Sequence, residues 1–222
     1  MARVPHRLEW VVLLLGATII LSSCKTETKS PVPPGKLPSG APAPVRNTAE
    51  APEGGWCVED GAGSRLVSLE PLGDGFNLCG PEGKSQGQVV VKDDKVELME
   101  QKQLALKVKA KDDGCKLYDG QDQVLIEVKR KDNGYLVKDA ADKEIGRIKA
   151  KDAGAYKIYD AGGAEIGKIK PKDSGLELED PSDKRLYRVK GKLPARAGAF
   201  WGIHGLSDQQ KVALSVYFSK WE

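Results

Sequence analysis

The feature that most constrains the fold is a repeat of about 20 residues through most of the chain. Each unit reads strand, Lys-Asp-x-Gly turn, strand, polar turn. Asp and Gly suit the positive φ angles of tight hairpins, so each unit predicts two antiparallel strands. A weaker copy of the turn is Lys92-Asp93-Asp94-Lys95. The clearest turns begin at Lys111, Lys131, Lys151 and Lys172 and end at Gly114, Gly134, Gly154 and Gly175.

Apolar residues alternate with polar ones in the strands around these turns. The first two apolar positions after each turn are Trp56/Val58, Phe76/Leu78, Val96/Leu98, Cys115/Leu117, Tyr135/Val137, Tyr156/Ile158 and Leu176/Leu178. Period-two alternation indicates strands with one buried face. Seven hairpins predict up to fourteen strands, and so long a meander must curl or close to protect its edges. The sequence therefore predicts a mainly β domain at 56–193, a 12–14-stranded antiparallel meander barrel. A β-solenoid or propeller is the competing use of such a repeat, which the two-strand hairpin pattern suits less well.

The pattern changes after Pro194, and 194–222 is predicted to be a loop followed by a helix. The small residues of 195–205 predict the loop. Ser207 as N-cap and Gln210 three positions later predict a helix to about Trp221. Apolar residues cover most of its circumference, which is typical of a buried helix. We expect this helix inside the barrel; packing on an open sheet or on a partner are the alternatives.

A β-meander of about twelve strands with one hydrophobic C-terminal helix resembles the tubby-like fold, which includes the LURP-one-related proteins and the phospholipid scramblases. The resemblance covers 56–222 and implies a closed barrel that wraps the helix. Because the hairpin count exceeds twelve strands, the first hairpin lies either inside or outside that barrel. Tubby-like domains bind phosphoinositides, so the resemblance also implies an affinity for anionic lipid.

The N-terminus has the organisation of a bacterial export signal. An apolar run at 10–21 follows a basic start; it is shorter than the about 20 residues of a spanning helix and fits a signal peptide. It ends in Leu21-Ser22-Ser23-Cys24, which resembles the lipobox of bacterial lipoproteins. The resemblance implies removal of 1–23 and lipidation of Cys24 with three acyl chains of the palmitate type, enough for stable membrane anchoring. Lys25 at the next position indicates the outer membrane, with the protein facing the periplasm.

The segment 24–55 is predicted to be a disordered tether. Its prolines lie at Pro31, Pro33, Pro34, Pro38, Pro42 and Pro44. Such a segment buries too little apolar surface to fold, and proline keeps it extended. We expect it to hold the barrel away from the membrane that carries Cys24.

Three cysteines remain once Cys24 is lipidated, which allows at most one internal disulfide. Cys57 and Cys79 share the outward parity, so a disulfide between them is the preferred pairing, whereas Cys115 takes an inward position. The objection is that a plain meander puts one strand between Cys57 and Cys79, about 10 Å apart. The sequence has no Cys-x-x-Cys pair, so it predicts neither a redox motif nor a metal site.

Lysine columns are the most informative surface feature. By parity they point outward at Lys109, Lys111, Lys129, Lys131, Lys149, Lys151, Lys170, Lys172, Lys190 and Lys192. Such a face could bind anionic lipid headgroups, lipopolysaccharide phosphate or acidic polymers. The alternative is a solvated wall on which lysine discourages edge pairing. Because 35 basic residues face 32 acidic ones, the sequence predicts no general affinity for nucleic acid.

The predicted function is that of a membrane-anchored, non-enzymatic binding or structural module of the cell envelope, contacting anionic lipid, lipopolysaccharide or an envelope protein. A lone His204 in the mature chain assembles no catalytic set, and no cofactor motif is present. The aspartates of the second turn are expected to bond their own turn backbone rather than calcium. The alternative function is lipid handling, in which the lumen holds an acyl chain; it requires a lumen that the helix leaves partly empty.

Overall fold

The computed structural model describes residues 51–221, which form a closed barrel of fourteen antiparallel strands in sequence order. The predicted signal peptide and most of the predicted tether lie outside these residues. The strands are β1 Trp56–Asp60, β2 Arg65–Leu72, β3 Gly75–Cys79, β4 Ser85–Lys92, β5 Lys95–Glu100, β6 Gln103–Lys111, β7 Gly114–Asp119, β8 Val124–Lys131, β9 Gly134–Asp139, β10 Glu144–Ala150, β11 Tyr156–Asp160, β12 Glu165–Lys172, β13 Gly175–Glu179 and β14 Arg185–Gly191. A short 3-10 segment, Asp152–Gly154, joins β10 to β11.

The predicted barrel is confirmed, and the first hairpin belongs to it. β1 pairs with β2 on one side and closes the barrel against β14 on the other, with Val58 opposite Val189. The second apolar position of every repeat points into the barrel and is at most 1% exposed: Val58, Leu78, Leu98, Leu117, Val137, Ile158 and Leu178. Period-two alternation therefore set which face of each strand is buried.

Successive turns alternate between the two ends of the barrel. The near end holds the start of β1 and the Lys-Asp turns, and the far end holds the turns that follow the odd-numbered strands. Each of the seven hairpins that turn at the far end contains a shift in strand register. Such bulges bend and twist a strand, so their repetition helps a long meander to curl until it closes.

The segment predicted as a loop is largely helical, which corrects that expectation. After β14, the chain forms α1, Ala195–Gly198, and then a 3-10 segment, Ala199–Gly202. Both pieces are too short to show a helical period in the sequence. Their small residues fit the narrow lumen: a Cβ atom on Gly198 would lie 2.6 Å from Leu176 Cδ1, and one on Gly202 would lie 2.5 Å from Ile158 Cδ1.

Helix α2, Asp208–Lys220, begins at the predicted capping box. The Gln210 amide donates to Ser207 Oγ at 3.3 Å, and the Ser207 amide donates to Gln210 Oε1 at 2.9 Å. Every residue from Lys211 to Phe218 is buried. Because eight successive residues cover all sides of a helix, α2 must be surrounded by the barrel wall and α1. The helix therefore lies inside the barrel, as expected.

The two buried polar residues of α2, Lys211 and Ser215, face α1 and the 3-10 segment rather than solvent. Ser215 Oγ donates to the Ala197 carbonyl oxygen at 3.0 Å, and Lys211 Nζ lies 5.5 Å from the Trp201 ring centroid. Phe218 packs against the same 3-10 segment, with its ring centroid 4.7 Å from that of Phe200. The C-terminal segment thus forms a helical hairpin that fills the lumen. Neither described helix has the length and hydropathy needed to cross a bilayer.

Candidate functional site

The ten lysines of the predicted face project from the outer wall of the even-numbered strands or from the near-end turns. Their neighbours in sequence point inward and are buried: Val108, Val128, Ile148, Ile169 and Val189. The parity argument is therefore correct for orientation. Whether these lysines are available to a ligand depends on what each one contacts on the wall.

Four of the ten lysines pair with wall glutamates. Lys190 Nζ lies 2.6 Å from a Glu59 carboxylate oxygen, and Lys170 Nζ lies 2.9 Å from Glu179. The other two are looser, with Lys129 at 3.5 Å from Glu127 and Lys172 at 3.7 Å from Glu177. The acids are mostly buried by the surrounding chains, so these lysines compensate charge within the wall and are less free to bind an external anion.

The remaining lysines are more available. Lys109 and Lys149 lie over tyrosine rings, at 5.8 Å from the Tyr118 centroid and 5.3 Å from the Tyr159 centroid. Within residues 51–221, the other four are exposed and make no ion pair: Lys111, Lys131, Lys151 and Lys192. All four lie in or beside near-end turns, where the exposed turn aspartates Asp112, Asp132, Asp152 and Asp173 partly neutralise them.

A cleft of about 240 Å³ opens in the outer wall at the near end of β8–β10. It arises because β9 presents Gly134 and Leu136 outward, between the lysines of its two neighbours. Gly134 pairs with Lys131 on β8 and with Lys149 on β10. The lining residues are Lys131, Asp132, Asn133, Tyr135, Leu136, Arg147, Ile148 and Lys149. Three cations against one carboxylate around an apolar floor suit an anionic headgroup with an attached apolar portion.

The anionic face predicted from the sequence includes Lys131 and Lys149, and Arg147 shares their outward parity, but Leu136 was missed. A signal was present for Leu136, an apolar residue at an outward position between Tyr135 and Val137. Arg147 is held in place by Glu144, whose Oε1 lies 2.5 Å from its Nε. That ion pair compensates much of the guanidinium charge, so Lys131 and Lys149 supply most of the uncompensated positive charge of the cleft.

The far-end turns are structural. Four predicted aspartates, together with Asp60, accept backbone amide hydrogens of their own turns at 2.8–3.0 Å: Asp119, Asp139, Asp160 and Asp180. Within the described residues, no group of three His, Cys, Asp or Glu side chains could hold a metal ion. These contacts confirm that most of the turn aspartates bond their own backbone.

Asp122, Asp142 and Asp183 behave differently from the other turn aspartates. Each adopts a positive φ of 62–65°, where glycine stands in other units. Each carboxylate accepts a hydrogen bond from a wall lysine, the partners being Lys107, Lys138 and Lys168. These hydrogen bonds, followed by the lysine charge, lower the pKa of the three carboxyls below the ordinary value.

The predicted disulfide between Cys57 and Cys79 is not formed. Both are free, buried thiols. Strand β2 separates them, with Ser68 paired to Cys57 on one side and to Cys79 on the other. Burial raises the pKa of both thiols, and the nearest carboxylates, Glu59 and Glu70, raise them further. The geometric objection to this disulfide is therefore correct.

Two other predicted positions have no part in the cleft. Cys24, the predicted lipidation site, lies outside the described residues. His204 is exposed after the 3-10 segment, beside Ile203, whose side chain packs near Gly146 at the far end of β10. The cleft therefore offers positive charge and an apolar floor, and His204 is not among its lining residues.

The described chain is thus a closed antiparallel barrel whose lumen is occupied by its own C-terminal helical hairpin. It matches no protein-family model and no curated protein. It is similar to the X-ray structure of a protein from Arabidopsis thaliana, with 14% identity over 68% of this chain and 88% of that chain. The TM-score of that match is 0.36.

Proposed function

We propose that this protein is a bacterial lipoprotein, anchored through Cys24 to the outer membrane and facing the periplasm, whose barrel is a non-enzymatic binding module. Its ligand is an anionic envelope component: a lipid headgroup or the phosphates of lipopolysaccharide. The observation that carries the proposal is the cleft at the near end of β8–β10, which Lys131, Arg147 and Lys149 line together with Leu136. A mixed basic and apolar cleft matches a charged headgroup that is bonded to an acyl or sugar portion.

The filled lumen favours this binding role over the transport of an acyl chain within the barrel. Phe200, Trp201 and Phe218 are at most 1% exposed and occupy the space that an acyl chain would need. Admitting such a chain would require the helical hairpin to leave, exposing the largest apolar surfaces of the domain at a high free-energy cost. The outer wall is therefore the better candidate for ligand contact.

The binding proposal is tested with the mature lipoprotein in detergent and purified lipopolysaccharide as the probe. The variant Lys131→Ser/Arg147→Ser/Lys149→Ser removes the three cations of the cleft. Its control, Lys84→Ser/Lys143→Ser/Lys184→Ser, removes the same charge from equivalent exposed positions of the far-end turns. We expect the cleft variant to lose affinity at least about tenfold and to bind with a weaker salt dependence, with the control near wild type. Equal losses of affinity in both variants would show that binding depends on nonspecific charge and not on this cleft.

The anchor is tested separately by metabolic labelling with an alkyne analogue of palmitate. We expect the label on the wild-type chain and none on Cys24→Ser. Mass spectrometry of co-purified lipid tests the alternative function, in which the lumen holds an acyl chain. An acyl lipid that co-purifies in stoichiometric amount with the triple cleft variant would indicate binding in the lumen. Labelling of the Cys24→Ser chain would contradict the proposed anchor.

A further inference from the structure

The near end of the barrel exposes apolar side chains. Among the large hydrophobic residues of the described chain, Leu72 at 50% and Trp221 at 36% are the exposed ones. Leu72 ends β2 at the tip of the β2–β3 turn, and Trp221 directly follows α2. A wide cleft of about 760 Å³ lies in this region, with Pro71, Phe76, Val91 and Trp221 among its lining residues. Both exposed residues thus lie at the near end, which makes this end the candidate for an apolar contact.

The Trp221 ring is fixed in place rather than free. Its Nε1 donates to the Asp93 carbonyl oxygen at 3.1 Å, and its ring lies 5.0 Å from that of Tyr217. The indole therefore keeps a satisfied polar edge while part of its apolar face meets solvent. Tryptophan in such a setting is enriched where one side is apolar and the other is wet, above all at membrane interfaces.

The chain joins the barrel at this same end. Gly54 lines the cleft with Trp221, and β1 begins two residues later. Residues 25–50 are therefore all that separates the near end from Cys24. The proline-rich tether predicted from the sequence would reach at most roughly 80 Å over this length, which keeps the near end at a high effective concentration beside the bilayer. Under those conditions even a small apolar contact is populated.

We propose that the near end of the barrel rests on the phospholipid surface that holds Cys24, with Leu72 and Trp221 inserted among the headgroups. This inference rests on the proposed lipid anchor, adds an orientation to it, and replaces the expectation that the tether holds the barrel away from the membrane. Lys92 and Lys220 line the cleft beside Trp221 together with Asp74 and Asp93, so the charges of the cleft are balanced. The contact is therefore carried by the exposed apolar side chains, and the position of Trp221 suits the boundary between lipid headgroups and acyl chains.

Tryptophan fluorescence tests the inference on the mature lipoprotein in phosphatidylethanolamine–phosphatidylglycerol vesicles with brominated acyl chains. Trp56 and Trp201 are buried in the barrel, so a lipid quencher reports on Trp221. Trp221 is one of three tryptophans after the signal peptide, so quenching should remove roughly a third of the emission. We expect this component to be absent in Trp221→Phe and reduced in Leu72→Asp, but preserved in the matched far-end control Ala141→Asp. Circular dichroism verifies that each variant is folded.

Vesicle flotation reports on the anchor independently of the quenching. A chain that floats but shows no Trp221 quenching overturns the inference and leaves the anchor intact. A chain that fails to float overturns the anchor; it is then held to the same vesicles by an N-terminal histidine tag on a nickel-chelating lipid. Quenching in that format supports the inference, and its absence overturns it. Cross-linked dimers with an unquenched Trp221 would assign the surface to a second copy of the chain and overturn the membrane contact.

Discussion

Arg196 Nε donates a hydrogen bond of 3.0 Å to the carbonyl oxygen of Phe218. The bond joins α1 to the last turn of α2, whose carbonyl oxygens lack partners within the helix. A guanidinium at a helix C-terminus also complements the helix dipole. The two halves of the lumen hairpin are therefore held together by a charged donor as well as by apolar packing.

We expect Arg196→Ala to destabilise the barrel by about 1.5–3 kcal/mol, because a half-buried charged hydrogen bond is lost and a carbonyl is left unsatisfied. Urea unfolding followed by circular dichroism measures the change. Arg196→Lys should restore part of the loss, since the ammonium also donates but lacks the planar fork. A change below about 0.5 kcal/mol, as expected for an exposed surface residue, would mean that the bond does not hold the hairpin.

Sequence reasoning recovered the barrel and α2 because their signals are local. Two-residue alternation and the Ser207–Gln210 box act within a few positions, and tertiary packing reinforces both. The loop expected at 195–205 was wrong because its residues are small to fit the lumen, not to stay flexible. Gly198 and Gly202 meet inward side chains of β13 and β11, which no reading of one segment alone could reveal.

The cleft was beyond sequence reasoning for a related reason. It depends on register, which sets Gly134 between Lys131 on β8 and Lys149 on β10. The outward direction of the lysines followed from parity, whereas their availability depended on wall acids such as Glu59. Parity predicts which face of the strand a side chain lies on, whereas its cross-strand partners determine whether it is available to bind a ligand.

Removing a wall lysine should destabilise the barrel more than removing a turn lysine. Lys190→Ala leaves the Glu59 carboxylate, whose side chain is 5% exposed, without its ion-pair partner at 2.6 Å. Losing one partner of a buried pair should cost on the order of 3 kcal/mol. Lys192→Ala, at an exposed position two residues away, should stay within about 0.5 kcal/mol of wild type. Thermal and urea unfolding compare the two; equal effects would mean that Lys190 is as solvated as Lys192.

Substitutions of the turn glycines should fall into two classes by their effect on stability. A Cβ atom on Gly134 would lie 1.9 Å from the Ile148 carbonyl oxygen, so Gly134→Ala must displace a strand and should cost at least about 2 kcal/mol. Gly163 has a φ of +84° and open space around it, and aspartate occupies the equivalent position in three other units. We expect Gly163→Asp to change stability by less than about 1 kcal/mol in urea unfolding. A large loss at Gly163 would show that the repeat positions are not equivalent.

Acid should weaken the barrel through three ion pairs. The carboxyls of Asp122, Asp142 and Asp183 have a lower pKa in the folded chain than in the unfolded one, because lysine hydrogen bonds and charge favour the ionised form. Their stabilisation is therefore present above about pH 4 and is lost as the pH falls through the folded values. The triple Asp→Asn variant should lose less stability between pH 7 and pH 3 than wild type. The control triple Asp112→Asn/Asp152→Asn/Asp173→Asn, in near-end turns, should keep the wild-type dependence.

The buried thiols should react only when the barrel opens. Burial raises the pKa of Cys57 and Cys79, which lowers the thiolate fraction near neutral pH, and the wall blocks reagents. In a Cys24→Ser background at pH 8, we expect dithionitrobenzoate to modify them slowly without urea and rapidly across the unfolding transition. A Ser182→Cys variant, in an exposed far-end turn, provides the fast reference rate. Because β2 lies between the strands that carry Cys57 and Cys79, the oxidant diamide should produce no disulfide between them in the folded chain. A Cys57–Cys79 peptide in the mass spectrum of the native, oxidised protein would show that β2 moves aside far more readily than its pairing with β1 and β3 implies.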